Sequence, residues 1–387
     1  MTQPRLVGRM QPFGTTIFAE MSALAVATGA VNLGQGFPDT DGPSEIAEAA
    51  VAAIRAGHNQ YPPGIGIPEL RHAVARHQQH WYGLTYDADT EVLVTAGATE
   101  ALAASVLALC DAGDEVVMFE PYYDSYAACV ALANASRRVV TLRTPRYGFD
   151  PEELRAAITS RTRVLLLNSP HNPTGKVFTR SELEEIAALC IEHDLVAITD
   201  EVYEHLVFDQ LDHVPLATLP GMRDRTITIS SAGKTFSFTG WKVGWVCASP
   251  ELVAAVRTVK QFLTYVNGAP FQHAVALGLD LPDERFRSFA ADLEERRDLL
   301  CEGLEAAGFT TFRPAGTYFV TTDIRSVGEE DGLAFCRALP ERCGVVAVPN
   351  AVFYDDELAG RSLVRFTFCK RREVLEEGLR RLKTLAP

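Results

Sequence analysis

The chain has 387 residues, 47% of them hydrophobic and 22% charged, with a formal net charge of −14. That length buries a large core and points to two domains, and the composition is that of a soluble globular protein. The acidic balance, with no basic run to offset it, excludes a nucleic-acid binder.

The eight cysteines are scattered and form no Cys-x-x-Cys pair, so buried free thiols are expected. The first residues, MTQPRLVGRM, contain no apolar signal region. The longest apolar run, Ala101 to Cys110, is about half of a membrane span. A cytoplasmic enzyme is the expectation.

In chain order, residues 1 to about 30 form an arm with a helix over Thr16–Thr28. Val31–Pro43 breaks into Gly, Pro and Asp and reads as a loop. Ile46, Ala49, Ala50, Ala53 and Ile54 give a helix over Glu45–Arg55. Asn59–Leu70 is a second loop. Its Gly64-Ile65-Gly66 is no dinucleotide fingerprint, because no strand leads in and no third glycine follows.

A regular alternation begins near residue 91. Strand-like runs are Glu91–Thr95, Glu115–Phe119, Arg138–Leu142, Val164–Asn168, Leu195–Thr199, Thr226–Ser230 and Val243–Ala248. Helical patterns such as Thr99–Cys110 and Ser181–His193 separate most of them, the latter opening on a capping box from Ser181 to Glu184. An α/β fold follows, with a mostly parallel seven-stranded sheet between helices. Beyond residue 270 the texture changes to a long amphipathic helix, Asp283–Ala307. Shorter strands come after it at Thr317–Thr321, Val345–Val348 and Leu363–Phe368. These predict an N-terminal arm that is part of a small domain (1–44), a large domain (45–280) and a C-terminal small α+β domain (281–387).

Chemistry-bearing residues gather where strands run out, the edge at which α/β sheets build sites. After Thr226–Ser230 come Ser231, Ala232, Gly233 and a lone Lys234, with Lys242 eight residues on. A desolvated lysine beside positive charge suits a Schiff base, and the nearby hydroxyls and ammonium suit an anion; a plain surface lysine is the alternative. Gly97-Ala98-Thr99 opens a helix and is either an anion site or a simple cap. Asp200 either caps a helix or pairs with a cationic ring nitrogen, and Tyr203 follows one helical turn on. Tyr123 and Asn172 lie in two further strand-end segments, and Arg365 has the planar fork that fits a carboxylate.

Taken together, NLGQGFPD (32–39), NQYPPG (59–64), VTAGATEAL (94–102), EPYYDSY (120–126), NSPHNPTGK (168–176), ITDEVYEHL (198–206), SSAGKTFSFTGWKVGW (230–245) and LVRFTF (363–368) resemble the fold type I, pyridoxal-phosphate-dependent aminotransferases of classes I and II. The chain is similar to the kynurenine, glutamine and methionine transaminase subgroup and to actinobacterial succinyldiaminopimelate aminotransferases. The resemblance implies pyridoxal 5′-phosphate bound through Lys234, with Asp200 on its ring nitrogen. Tyr203 and Asn172 would bond the ring hydroxyl, and Tyr123 would stack on the ring. Ala98, Thr99, Ser231 and Lys242 would hold the phosphate, joined by Tyr61 from a partner subunit. Arg365 would clamp the substrate carboxylate, with Gly36 closing over it. It further implies a homodimer that exchanges amino groups between an L-amino acid and a 2-oxo acid. A carbon–sulfur β-lyase on the same cofactor is the alternative. Where the kynurenine enzymes carry a Phe-His pair, this chain has Tyr265-Val266.

Overall fold

The computed structural model describes residues 6–14 and 16–385. Seven strands form the main sheet: β1 (Val92–Thr95), β2 (Glu115–Glu120), β3 (Ser136–Thr141), β4 (Thr162–Asn168), β5 (Val196–Asp200), β6 (Thr226–Ser231) and β7 (Gly244–Cys247). Their order is β1-β7-β6-β5-β4-β2-β3, and only β7 runs against its neighbours. The inner strands are buried along nearly their whole length because both faces are covered. Val116 and Met118 of β2 pack with helix Gly97–Leu109 on one face. Val117 and Phe119 pack with helix Arg180–Glu192 on the other. This is the two-residue alternation of a pleated strand.

A second, antiparallel sheet follows, built from β8 (Thr310–Phe312), β9 (Phe319–Asp323), β10 (Val348–Pro349) and β11 (Leu363–Thr367) in the order β10-β11-β9-β8. Helix Asp283–Ala306 leads into it, and Leu293, Leu300 and Leu304 share a core with Val320, Phe335 and Phe366. Met21 and Leu33 of the arm enter that same core.

Three local expectations are corrected. Val31–Asn32, read as loop, is a short strand paired in parallel with Val345–Val346, a contact no local pattern announces. The loop at Asn59–Leu70 ends early, because helix Pro68–Tyr82 starts inside it with Pro68 in its first turn. Gln272 Oε1 accepts from the Ile67 N–H at 2.9 Å just before that start. The capping box belongs to Thr179 and Glu182, not Ser181 and Glu184. Thr179 Oγ1 accepts from the Glu182 N–H (3.3 Å), and Glu182 Oε2 accepts from the Thr179 N–H (2.8 Å).

Candidate active site

The site begins with a row of three residues. Ser231 at the end of β6 pairs with Gly244 of β7, and Gly244 pairs with Thr95 at the end of β1. Because β7 is antiparallel, its first residues sit at the same edge as the last residues of its neighbours. The chain therefore leaves that edge after Ser231, carries Lys234 round a short turn, and returns with Lys242. The Ala232 N–H donates to the Val243 carbonyl at 3.0 Å and closes the base of the loop.

Gly97 follows Thr95 with φ +77°, a left-handed conformation that favours glycine. A Cβ there would stand 3.2 Å from Lys242 Nζ, and one on Gly244 would stand 2.6 Å from the Gly97 carbonyl carbon. Both glycines are thus required for Lys242 to lie against the start of helix Gly97–Leu109. No carboxylate among the described residues forms an ion pair with Lys242. The helix start, the Lys242 amine and the buried Ser231 form a positively polarised cradle.

At the end of β5, Asp200 is buried. Its Oδ2 accepts from the Tyr126 hydroxyl at 2.7 Å and its Oδ1 from the Val202 N–H at 3.3 Å. Burial pushes its carboxyl up to about 6, against the opposing pull of those two hydrogen bonds and of Lys234. Burial also draws the Lys234 amine down to about 8, with Cys369 and Asp200 resisting. Lys234 Nζ donates to the Tyr318 hydroxyl at 2.8 Å, and that hydroxyl donates to the Gly36 carbonyl at 2.7 Å.

Arg365, in the middle of β11, is 1% exposed. Its guanidinium lies 3.9 Å over the Phe319 ring. Nη1 donates to Asn172 Oδ1 (2.9 Å) and Nη2 to the Gly34 carbonyl (3.3 Å), while the buried Nε has no partner. Burial lowers its pKa to about 10, which leaves it charged at neutral pH.

One cavity of about 380 Å³ unites these groups. Its wall includes Lys234, Asp200, Tyr203, Arg365, Asn172 and Gly36, together with Ala98, Thr99, Tyr123, Ser231 and Lys242. Tyr61 is outside it; that side chain is 81% exposed and meets Tyr265 edge-on at 5.6 Å. Sequence reasoning did not single out Tyr126, Phe319 or Tyr318. Tyr126 was within reach, being one helical turn from Tyr123. Tyr318 had no local signal, since it lies in the bend just before β9, far along the chain from Lys234.

These residues fit pyridoxal phosphate. The cradle suits a phosphate, and the aromatic Tyr123 beside it suits a flat ring. Asp200, with one hydroxyl and one N–H already on it, can face a ring cation, and Lys234 can meet an aldehyde. Three cations against one buried carboxylate also leave charge for a substrate carboxylate.

Residues 28–382 match the family model for aminotransferase class I and II. A probable N-succinyldiaminopimelate aminotransferase of Mycobacterium tuberculosis is 53% identical over 98% of each chain. Methionine aminotransferase of Escherichia coli is 38% identical over 97% of each. The solved structure of N-succinyldiaminopimelate aminotransferase from Mycobacterium tuberculosis superposes with a TM-score of 0.97 at 53% identity, covering 99% of this chain and 100% of that one. A single mutant of Thermus thermophilus aspartate aminotransferase gives 0.90 at 34% identity, over 99% and 100%. With the cavity and nearly the whole chain matched together, the protein belongs to the class I and II aminotransferases, fold type I transaminases that depend on pyridoxal phosphate.

Proposed function

We propose that Lys234 holds the cofactor and moves the substrate proton, that Asp200 faces the ring nitrogen, and that N-succinyldiaminopimelate is the amino donor. The observation that carries the roles is the lysine amine, drawn down to about 8 in a cavity it shares with Asp200 and Arg365. The substrate rests on the 53% identity to the Mycobacterium tuberculosis enzyme of that name.

When bound, pyridoxal phosphate supplies an electron sink for the pair left on the substrate carbon after its proton departs. Arg365 orients the substrate by donating from its planar fork to the α-carboxylate, with the Nε–H still unpartnered. Asn172 holds the guanidinium in plane. Lys234 Nζ, neutral in a useful fraction at physiological pH, takes the proton from the substrate carbon and returns it on the far side of the exchange. Asp200 stays ionised beside a cation, since a facing positive charge lowers a carboxyl that burial has raised. Tyr203 and Asn172 would bond the ring hydroxyl, Tyr123 would stack on the ring, and Ala98, Thr99, Ser231 and Lys242 would hold the phosphate, all of them lining the one cavity. Gly36 closes over the substrate.

The reading includes a homodimer in which Tyr61 completes the neighbouring phosphate site. It is supported by the exposed aromatic group of Tyr61, Phe262 and Tyr265, which a second copy would cover. It also keeps the division into an arm (1–44) and residues 281–387 that together form a small domain beside 45–280, supported by the core that Met21 and Leu33 share with Val320 and Phe366. The cytoplasm is the proposed compartment, in keeping with eight free thiols. No helix among the described residues is long and apolar enough to cross a membrane. No observation favours β-lyase chemistry.

Two measurements test this. Borohydride reduction of the cofactor-loaded enzyme must leave a pyridoxyl group on Lys234, and Lys234→Ala must lose about ten-thousandfold or more in transamination. Half-reaction spectra against N-succinyldiaminopimelate, methionine, glutamine and kynurenine then rank the donors. Faster reaction with any of the other three would overturn the substrate assignment while leaving the chemistry standing.

A further inference from the structure

The hydroxyl of Tyr318 touches two things at once, the amine of Lys234 at 2.8 Å and the carbonyl of Gly36 at 2.7 Å. A carbonyl can only accept, so the single phenolic proton is committed to Gly36. What remains on that oxygen is a lone pair, and Lys234 must donate to it. The arrangement is built rather than incidental. Tyr318 is 1% exposed, its backbone carbonyl accepts from Thr367 Oγ1 at 3.0 Å, and its ring stands edge-on to Tyr203 with centroids 5.2 Å apart. A Cβ on Gly36 would come within 2.4 Å of the Phe319 ring and 3.0 Å of the Tyr318 ring, so only glycine brings its carbonyl this close.

We propose that Tyr318 is the positioning residue for the free amine of Lys234: its hydroxyl, oriented by Gly36, receives one N–H of the lysine whenever that amine is not covalently engaged. The inference rests on the reading that Lys234 moves the substrate proton. A neutral amine has two hydrogens and one lone pair. With one hydrogen fixed on Tyr318, rotation about the terminal bond is restricted, and the lone pair keeps to a narrow set of directions. The amine takes a proton to become an ammonium and gives one back, and Tyr318 neither gains nor loses one. Burial raises the Tyr318 phenol well above its ordinary value, which keeps it protonated throughout. As an acceptor the hydroxyl also favours the ammonium over the amine. It therefore holds the lysine pKa higher than the surrounding desolvation alone would. Asp200, Cys369, Lys242 and Arg365 also act on this amine, and replacing Tyr318 leaves all four in place; the Tyr203 ring lies 5.7 Å from the amine and also packs edge-on against Tyr318.

The test is Tyr318→Phe, which keeps the ring and deletes only the acceptor. With the holoenzyme loaded with pyridoxamine 5′-phosphate, so that Lys234 is free, the labelling of that amine by trace acetic anhydride is followed against pH by peptide mass spectrometry. The expected midpoint falls by about one unit from the wild-type value, the size of a lost hydrogen bond to a charged group. In steady state kcat falls about tenfold, KM stays within about twofold, and the acid limb of the kcat profile moves the same way. A labelling midpoint and kcat equal to wild type overturn the inference. A fall in activity with an unmoved midpoint does so too, because it leaves Tyr318 a packing role only. Should Tyr318→Phe fail to fold, 3-fluorotyrosine placed at position 318 keeps the shape and weakens the acceptor. A smaller downward shift is then required, and no shift refutes the assignment. Lys234→Ala separates the two levels: if it remains active the proton role of Lys234 fails, whereas a dead Lys234→Ala beside a normal Tyr318→Phe sinks this inference alone.

Discussion

With its pKa drawn down to about 8, Lys234 is about one-tenth neutral at pH 7, about two hundredfold more than a lysine at the ordinary value near 10.4. The sign is set by desolvation, which penalises the ammonium, so nucleophilicity appears as pH rises through about 8. In the pyridoxamine-loaded enzyme, Lys234 should therefore acylate ahead of surface lysines below pH 9. Asp200→Asn leaves the Tyr126 bond possible but removes the charge. Loss of about a hundredfold or more in kcat is expected, with cofactor absorbance retained. Arg365→Lys removes the fork, and its expected cost is about ten- to a hundredfold in kcat/KM, mostly through KM. The principal cavity groups were legible in the sequence because each stands where a β-branched or apolar strand ends, or, for Arg365, on a strand where a charge is conspicuous. Tyr318 was illegible for the opposite reason, since an aromatic among Thr317, Phe319 and Val320 reads as core.

At the level of elements, the strands of the main sheet were legible to within two residues, because they are short runs rich in β-branched and aliphatic residues, and the inner ones are almost wholly buried. Helix Pro68–Tyr82 was not, because Arg71, His77 and Gln78 are polar yet buried and break the stripe that periodicity looks for. Arg71 donates there to the Gly66 and Ala88 carbonyls and to Asp89, and His77 Nε2 meets His205 Nε2 at 2.7 Å. Of these partners, Ala88, Asp89 and His205 lie outside any local window. The strand at Val31–Asn32 escaped notice in the same way, since its pairing partner is at 345–346. The tight junction of β1, β7 and the helix after β1 yields a prediction of its own. Gly244→Ala forces a Cβ against backbone at 2.6 Å, with no flexible side chain to give way. A loss of about 1–3 kcal/mol in thermal unfolding is expected, together with weaker cofactor retention on dialysis.

For the whole molecule, charge is distributed with purpose: the chain is acidic at −14, yet the cavity is lined by Lys234, Lys242 and Arg365. An anionic cofactor and a carboxylate substrate are thus held where the local field opposes the global one. The proposed dimer makes a further prediction. Phe262→Glu, placed in the exposed aromatic group, should shift sedimentation toward the monomer and weaken cofactor binding, whereas Tyr61→Phe should weaken binding several-fold without changing sedimentation. A normal cofactor affinity in a monomeric Phe262→Glu protein would refute the shared site. The excursion from Ser231 to Gly244, with both feet on neighbouring strands, has one more consequence. Because its ends are pinned, it cannot absorb a change of length by sliding, and one added or removed residue must turn an amine away from the cavity. In a library of single-codon insertions and deletions spread over the gene, survivors under selection should map almost anywhere on the surface before they map to that window.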